Sequence, residues 1–80
     1  MRVRVEVLGM SDLPDRRMVG LEEGTLAELK GWLASEAERE LPEEGTLLAF
    51  INGLAPQEDW DSVELEEGDD VLFIVPASGG

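Results

Sequence analysis

The last residues of this 80-residue chain, Pro76-Ala77-Ser78-Gly79-Gly80, carry a group that could do chemistry away from a folded core. Glycine packs nothing and loses more conformational entropy on ordering than any other residue, so a fold gains little from a terminal pair. At an average glycine usage of about 7%, such a pair arises by chance in roughly 0.5% of chains. A tail of small residues suits insertion into a narrow channel, where side chains would clash. The free carboxylate expected on Gly80 could then reach a reaction centre.

The other candidate groups are acidic. Asp59 and Asp61 flank Trp60, while Glu66, Glu67, Asp69 and Asp70 surround Gly68. Paired carboxylates do acid–base work when burial drives their pKa values apart, but on the loops of so short a chain they read as solvated turn residues. Their spacing lacks the alternating acids and closing bidentate Glu of a calcium loop, and no metal site is expected. The chain has no cysteine and no histidine. Disulfides, thiolate metal sites, the commonest general base and the commonest metal ligand are thereby excluded. No catalytic side chain is assigned, and the chain reads as a non-enzyme.

A net charge of −13 argues against nucleic acid or an anionic membrane as partner. Residues 1–39 hold eight acids and six bases, whereas residues 40–80 hold eleven acids and no base. Solubility is the plain explanation. The sharper one is electrostatic steering of a basic partner surface toward the tail-bearing end. No apolar run approaches the ~20 residues needed to cross a bilayer, and the alternating start Met1-Arg2-Val3-Arg4-Val5-Glu6 is not a signal peptide. The expectation is a cytoplasmic protein.

Eighty residues make one domain that buries only roughly 60% of its unfolded surface. Arg2 to Leu8 alternates, with Val3, Val5 and Val7 on one face, and predicts a half-buried strand. Gly9 to Asp15 carries turn residues, and Arg16 to Leu21 returns with Val19 and Leu21 toward the core. Thr25-Leu26-Ala27-Glu28 fits a capping box. Leu26, Leu29, Leu33 and Ala37 then repeat at helical spacing, predicting a helix over 25–38 that Leu41 would extend. Gly31 inside it suggests close packing on the sheet. Trp32 sits beside the apolar stripe and should border the core.

Thr46 to Ile51 is a nearly continuous apolar run and predicts a central strand buried on both faces. Asn52-Gly53 is a hairpin signal, and Leu54-Ala55-Pro56 a short edge strand. Trp60, Val63 and Leu65 anchor an acidic connection, Gly68-Asp69-Asp70 turns into the last strand, and Val71 to Val75 forms it until Pro76 stops it. On that strand Val71, Phe73 and Val75 share one face, Leu72 and Ile74 the other. One set must face the helix, and the other, if uncovered, is an apolar patch suited to a partner. Phe73 and Trp60 are the candidate partner contacts. Hairpin, helix and returning strands together imply an α+β roll, a mixed sheet of four to five strands on one main helix. Residues 1–75 form the domain and 76–80 a flexible C-terminal tail.

The element order resembles the β-grasp fold of ubiquitin. Gly68-Asp69-Asp70-Val71 through Pro76-Ala77-Ser78-Gly79-Gly80 resembles the C-terminal signature of the prokaryotic sulfur carriers. These are the small subunit of molybdopterin synthase (MoaD type) and the thiamine-biosynthesis carrier (ThiS type). The resemblance implies that Gly80 is the adenylation and thiocarboxylate site, and that Gly79, Ser78, Ala77 and Pro76 thread the tail through a partner. It implies no cofactor bound by the carrier itself, since ATP is used by an adenylating, ubiquitin-activating-like enzyme. The sulfur acceptor would be a synthase, such as molybdopterin synthase large subunit or thiazole synthase. A single proline at Val75-Pro76 and a brief Pro42–Gly45 segment depart from the MoaD type, and Asn52-Gly53 with Pro56, Glu58 and Trp60 looks more like the ThiS type. The long Gly9–Asp15 loop and the Val-Pro-Ala-Ser tail depart from the ThiS type in turn. Molybdenum cofactor synthesis is preferred, with thiamine thiazole synthesis, another sulfur-transfer route, a ubiquitin-like modifier or a plain interaction module as alternatives.

Overall fold

The computed structural model describes residues 1–9, 16–37 and 46–75. Within them the chain forms β1 (Arg2–Leu8), β2 (Arg16–Gly20), α1 (Leu26–Ala37), β3 (Leu48–Ile51), a 3-10 turn (Trp60–Ser62) and β4 (Asp70–Ile74). The four strands make one sheet in the order β2-β1-β4-β3. β1 and β4 run parallel in its middle, while β2 and β3 pair antiparallel on the outside. Parallel neighbours need a crossover connection, usually through a helix, and α1 lies in the stretch between them. The architecture is the expected α+β roll.

The period-2 pattern of β1 puts Val3, Val5 and Val7 inside. Their cross-strand neighbours follow: Val5 pairs with Val71, Val7 with Phe73, and Val3 with Val19. Leu26, Leu29 and Leu33 of α1 are fully buried against this face and complete a single core with Leu47, Ala49, Trp60 and Leu65. Trp60 lies against Phe73, ring centroids 6.1 Å apart, and the Lys30 ammonium stands 5.8 Å from the indole centroid. Trp32 borders the core as expected, with the Arg17 guanidinium 5.6 Å from its ring.

Helix entry follows the Thr25–Glu28 signature only in part. The Glu28 N–H donates to Thr25 Oγ1 at 3.1 Å. The Glu28 carboxylate does not serve the N-cap; it accepts from the backbone N–H groups of Glu22, Glu23 and Gly24, each at 2.8 Å. One side chain thus organises the turn between β2 and the helix. The bond from Glu22, with those from Gly24 and Glu23, outweighs partial desolvation and holds the carboxyl below its ordinary range.

Several local expectations are corrected. β3 is an edge strand, not a central one, because the apolar run splits between faces: Leu47 and Ala49 point inward while Leu48 is 46% exposed and Phe50 half-buried outward. Leu54-Ala55-Pro56 makes no strand of its own. It is held by one bridge, Leu54 to Ile51, across an Asn52-Gly53 turn with φ of 51° and 86°, as a two-residue hairpin requires. β2 stops at Gly20, though Leu21 is still buried and its N–H donates to the Met1 carbonyl at 2.8 Å. Gly31 is exposed, and a Cβ there would meet nothing within 4 Å, so it serves no close packing. Leu41, Pro42 and Gly45 lie outside the described residues, as does most of the Gly9–Asp15 loop.

Candidate functional site

β4 carries the chain from a charged turn at one end of the sheet to the start of the C-terminal tail at the other. Gly68, at φ 85°, opens the strand, and the Glu66 N–H donates to Asp69 Oδ2 at 2.8 Å across the turn. Asn52 ties this turn to the neighbouring hairpin: its Nδ2 donates to Asp69 Oδ1 at 3.1 Å, and its Oδ1 accepts from the Asp70 N–H at 3.0 Å. At the far end the Val75 N–H donates to the Leu8 carbonyl at 2.8 Å, extending the parallel ladder one residue past Ile74. Pro76, Ala77, Ser78, Gly79 and Gly80 lie outside the described residues. The structure therefore gives the point from which they depart.

For four of the eleven acids in residues 40–80, that placement runs against steering toward the tail. Glu66, Glu67, Asp69 and Asp70 belong to the tail-bearing half of the sequence, yet they cluster where β4 begins. Five strand residues at about 3.3 Å each separate that turn from Val75 by roughly 16 Å.

The two faces of β4 are now assigned. Val71, Phe73 and Val75 face the helix and are buried. Phe73 is wholly inaccessible and Trp60 only 7% exposed, so neither offers a side chain to a partner. As candidate contacts both are corrected: alternation turns Phe73 inward, and the 3-10 turn folds Trp60 onto it.

The outward set is Leu72 and Ile74, each partly exposed. Register aligns Leu8, Ile74 and Leu48 in one row across three strands, and Glu6, Leu72 and Phe50 in the next. A third row holds Arg4 and Asp70, paired at 3.6 Å in solvent. The outer face is thus apolar beside the tail's point of departure and mixed at the opposite end, where the exposed Met18 stands beside Arg4. Leu8, Leu48 and Phe50 were missed as members of this patch. Leu8 had a signal: it sits at an outward position of an otherwise polar face, and 46% of it is exposed. Leu48 and Phe50 could be assigned only once β3 was known to be an edge.

Among the described residues no group of three or more acidic side chains is arranged to hold a metal ion, and no helix is long and apolar enough to cross a membrane. Strand β4 thus leads to the small-residue segment 76–80 beside an outer face that is apolar at that end.

The family model described as "ThiS family" matches residues 12–80. The chain belongs to the ThiS family. This is a family of ubiquitin-like sulfur carriers, and the four-stranded sheet with one helix is its β-grasp fold. No curated protein matches this ThiS-family chain in sequence. Three solved structures are similar to it. A chain from the complex of subunits 1 and 2 of molybdopterin-converting factor of Helicobacter pylori 26695 has a TM-score of 0.68 at 22% identity, with 100% of each chain covered. A molybdopterin-converting factor subunit 1 from Pyrococcus furiosus has a TM-score of 0.71 at 22% identity, covering 95% of this chain and 98% of that one. SAMP1 from Haloferax volcanii has a TM-score of 0.75 at 14% identity, with both chains covered in full. At such identities the likeness is one of fold.

Proposed function

We propose that this ThiS-family protein is a sulfur carrier whose reacting group is the Gly80 carboxylate, activated by a partner and without catalytic side chains of its own. The observation that carries this reading is the family match over a chain ending in Gly79-Gly80, with the central strand β4 running directly into that tail. A carboxylate is a poor electrophile until it has a leaving group. In the partner's active site a Gly80 oxygen attacks the α-phosphorus of ATP, pyrophosphate leaves, and an acyl-adenylate forms. A hydrosulfide-level sulfur then attacks the acyl carbon and AMP leaves, giving a thiocarboxylate with no change in carbon oxidation state. The thioacid is a nucleophile at neutral pH and passes its sulfur to an acceptor.

Each part of the chain has one task in this scheme. Gly79, Ser78 and Ala77 are small enough to thread a tunnel, and Pro76 stiffens the exit from the sheet. The outer apolar face of Leu8, Leu48, Phe50, Leu72 and Ile74 docks the adenylating enzyme, which uses ATP, and the carrier works in the cytoplasm. The acceptor is the large subunit of a molybdopterin synthase. Support for that choice is the fold likeness to molybdopterin-converting factor, one example of which stands in a complex of subunits 1 and 2. Delivery to a thiazole synthase is the second reading, favoured by the family model itself.

Intact mass tests the proposal. After incubation with an adenylating enzyme, ATP and a sulfur donor, the protein should gain the difference between one sulfur and one oxygen atom, and deletion of Gly80 should abolish the gain. Transfer from the charged carrier to a molybdopterin synthase large subunit rather than a thiazole synthase would fix the route. An isopeptide adduct to a target lysine would instead mark a modifier. Retained function after deletion of Gly79 and Gly80 would leave an interaction module.

A further inference from the structure

β1 and β4 are parallel, so both leave the sheet at the same end, where they must diverge. Leu8 pairs with Ile74, and the Leu8 carbonyl accepts from the Val75 N–H at 2.8 Å. The next residue of β1 is Gly9, with φ of 95°. This conformation suits glycine and strains any L side chain. A second, independent constraint lies across the gap. A Cβ added at Gly9 would stand 2.1 Å from the Val75 carbonyl oxygen and 3.1 Å from its carbon. The oxygen would have to recede by about 1 Å to reach even 3.0 Å, and it is backbone, without a rotamer to relieve it. At Gly9 the absence of a side chain therefore leaves room for the Val75 carbonyl, which occupies the space a Cβ would need.

We infer that Gly9 is a positioning residue for the carrier reaction, acting through the Val75 peptide to set where and in which direction residues 76–80 leave the sheet. The inference rests on the sulfur-carrier reading and adds a residue that the tail itself does not contain. Docking uses the outer face of Leu8, Ile74 and Leu48, whereas chemistry depends on how far the Gly80 carboxylate then reaches. Gly9 controls the second without presenting any surface to the first. A shift of about 1 Å in the placement of a reacting group can cost on the order of 100-fold in rate.

The test uses the full chain, an adenylating enzyme, ATP and a sulfur donor that discharges the acyl-adenylate, with pyrophosphate release followed against carrier concentration. Gly9→Ala should lower kcat by ~10–100-fold and leave KM within about threefold, because ground-state docking is untouched. Gly20→Ala, where an added Cβ meets nothing within 4 Å, should behave as wild type. Should Gly9→Ala fail to fold, Gly9→Asn replaces it: asparagine tolerates positive φ but still places a Cβ against Val75. A folded variant with wild-type kcat, or one whose loss lies wholly in KM, overturns the inference. Hydrogen exchange of the Val75 amide gives a reading without the enzyme. It should accelerate by about tenfold or more in Gly9→Ala while the amides of Leu29 and Leu33 keep their protection. Unchanged Val75 exchange overturns the inference whatever the kinetics. A wild-type chain that releases no pyrophosphate sinks the carrier reading instead, and Val75 exchange then still decides whether Gly9 holds the exit.

Discussion

The two faces of β4 differ by one residue of register and by everything they do. Val71, Phe73 and Val75 are buried against α1, while Leu72 and Ile74, equally apolar, lie partly exposed on a face that no element of the described chain covers. An alternating strand normally pairs an apolar inside with a polar outside. Here the outside of β4 is apolar toward the end where the tail departs and charged at Asp70, which pairs with Arg4. Burial alone explains the inner set. The outer set fits the docking surface proposed above for the adenylating enzyme.

That contrast can be broken by substitution. The largest effect should come from the inner face: Phe73→Ala is expected to cost about 3–5 kcal/mol, enough to unfold much of a small domain whose total stability is typically about 5–15 kcal/mol. Urea denaturation would measure it. On the outer face, Ile74→Asp should shift stability by no more than about 1 kcal/mol yet weaken binding to the adenylating enzyme by about tenfold or more, read by titration calorimetry. If Ile74→Asp unfolds the domain, the two faces are not functionally separate.

Smaller effects sharpen the picture of what merely holds the scaffold. Glu28 has a lowered pKa in the folded state because the Glu22 N–H, then those of Gly24 and Glu23, stabilise its anion. Its contribution is fully present above the ordinary carboxylate range and is lost as pH falls through the lowered folded value. Wild-type thermal stability should therefore decline in acid more steeply than that of Glu28→Gln, which keeps the turn's shape but not the charge. Gly31→Ala should raise stability by up to about 1 kcal/mol without altering carrier activity. Its exposed position makes it a clean control for effects that pass only through folding.

Local signals made much of this legible. The alternation of β1, the Thr25 start of the helix, the Leu26-Leu29-Leu33 stripe and the Asn52-Gly53 turn are each written in a few neighbouring residues. What the sequence could not supply was non-local. β3 looks central because Leu47 to Ile51 is apolar throughout, and only strand order shows that Leu48 and Phe50 face outward at an edge. Phe73 looked available for a partner because alternation gives two sets without saying which faces the helix. The acidic residues near Gly68 looked close to the tail because they are close in sequence, though β4 holds them at its other end. Glu28 fits a capping box by spacing, but its three actual donors precede the helix. The reacting tail was the reverse case: Gly79-Gly80 was readable from composition and position before any strand was placed.

The most direct test of the account follows thiocarboxylate formation by intact mass in parallel reactions of wild type and Ile74→Asp with the same adenylating enzyme, ATP and sulfur donor. The account predicts that wild type gains the sulfur-for-oxygen mass difference, while the folded Ile74→Asp protein stays largely uncharged over the same time. A wild-type chain that is never charged would contradict the carrier role. An Ile74→Asp chain charged at the wild-type rate would contradict the division of one strand into a face that folds and a face that docks.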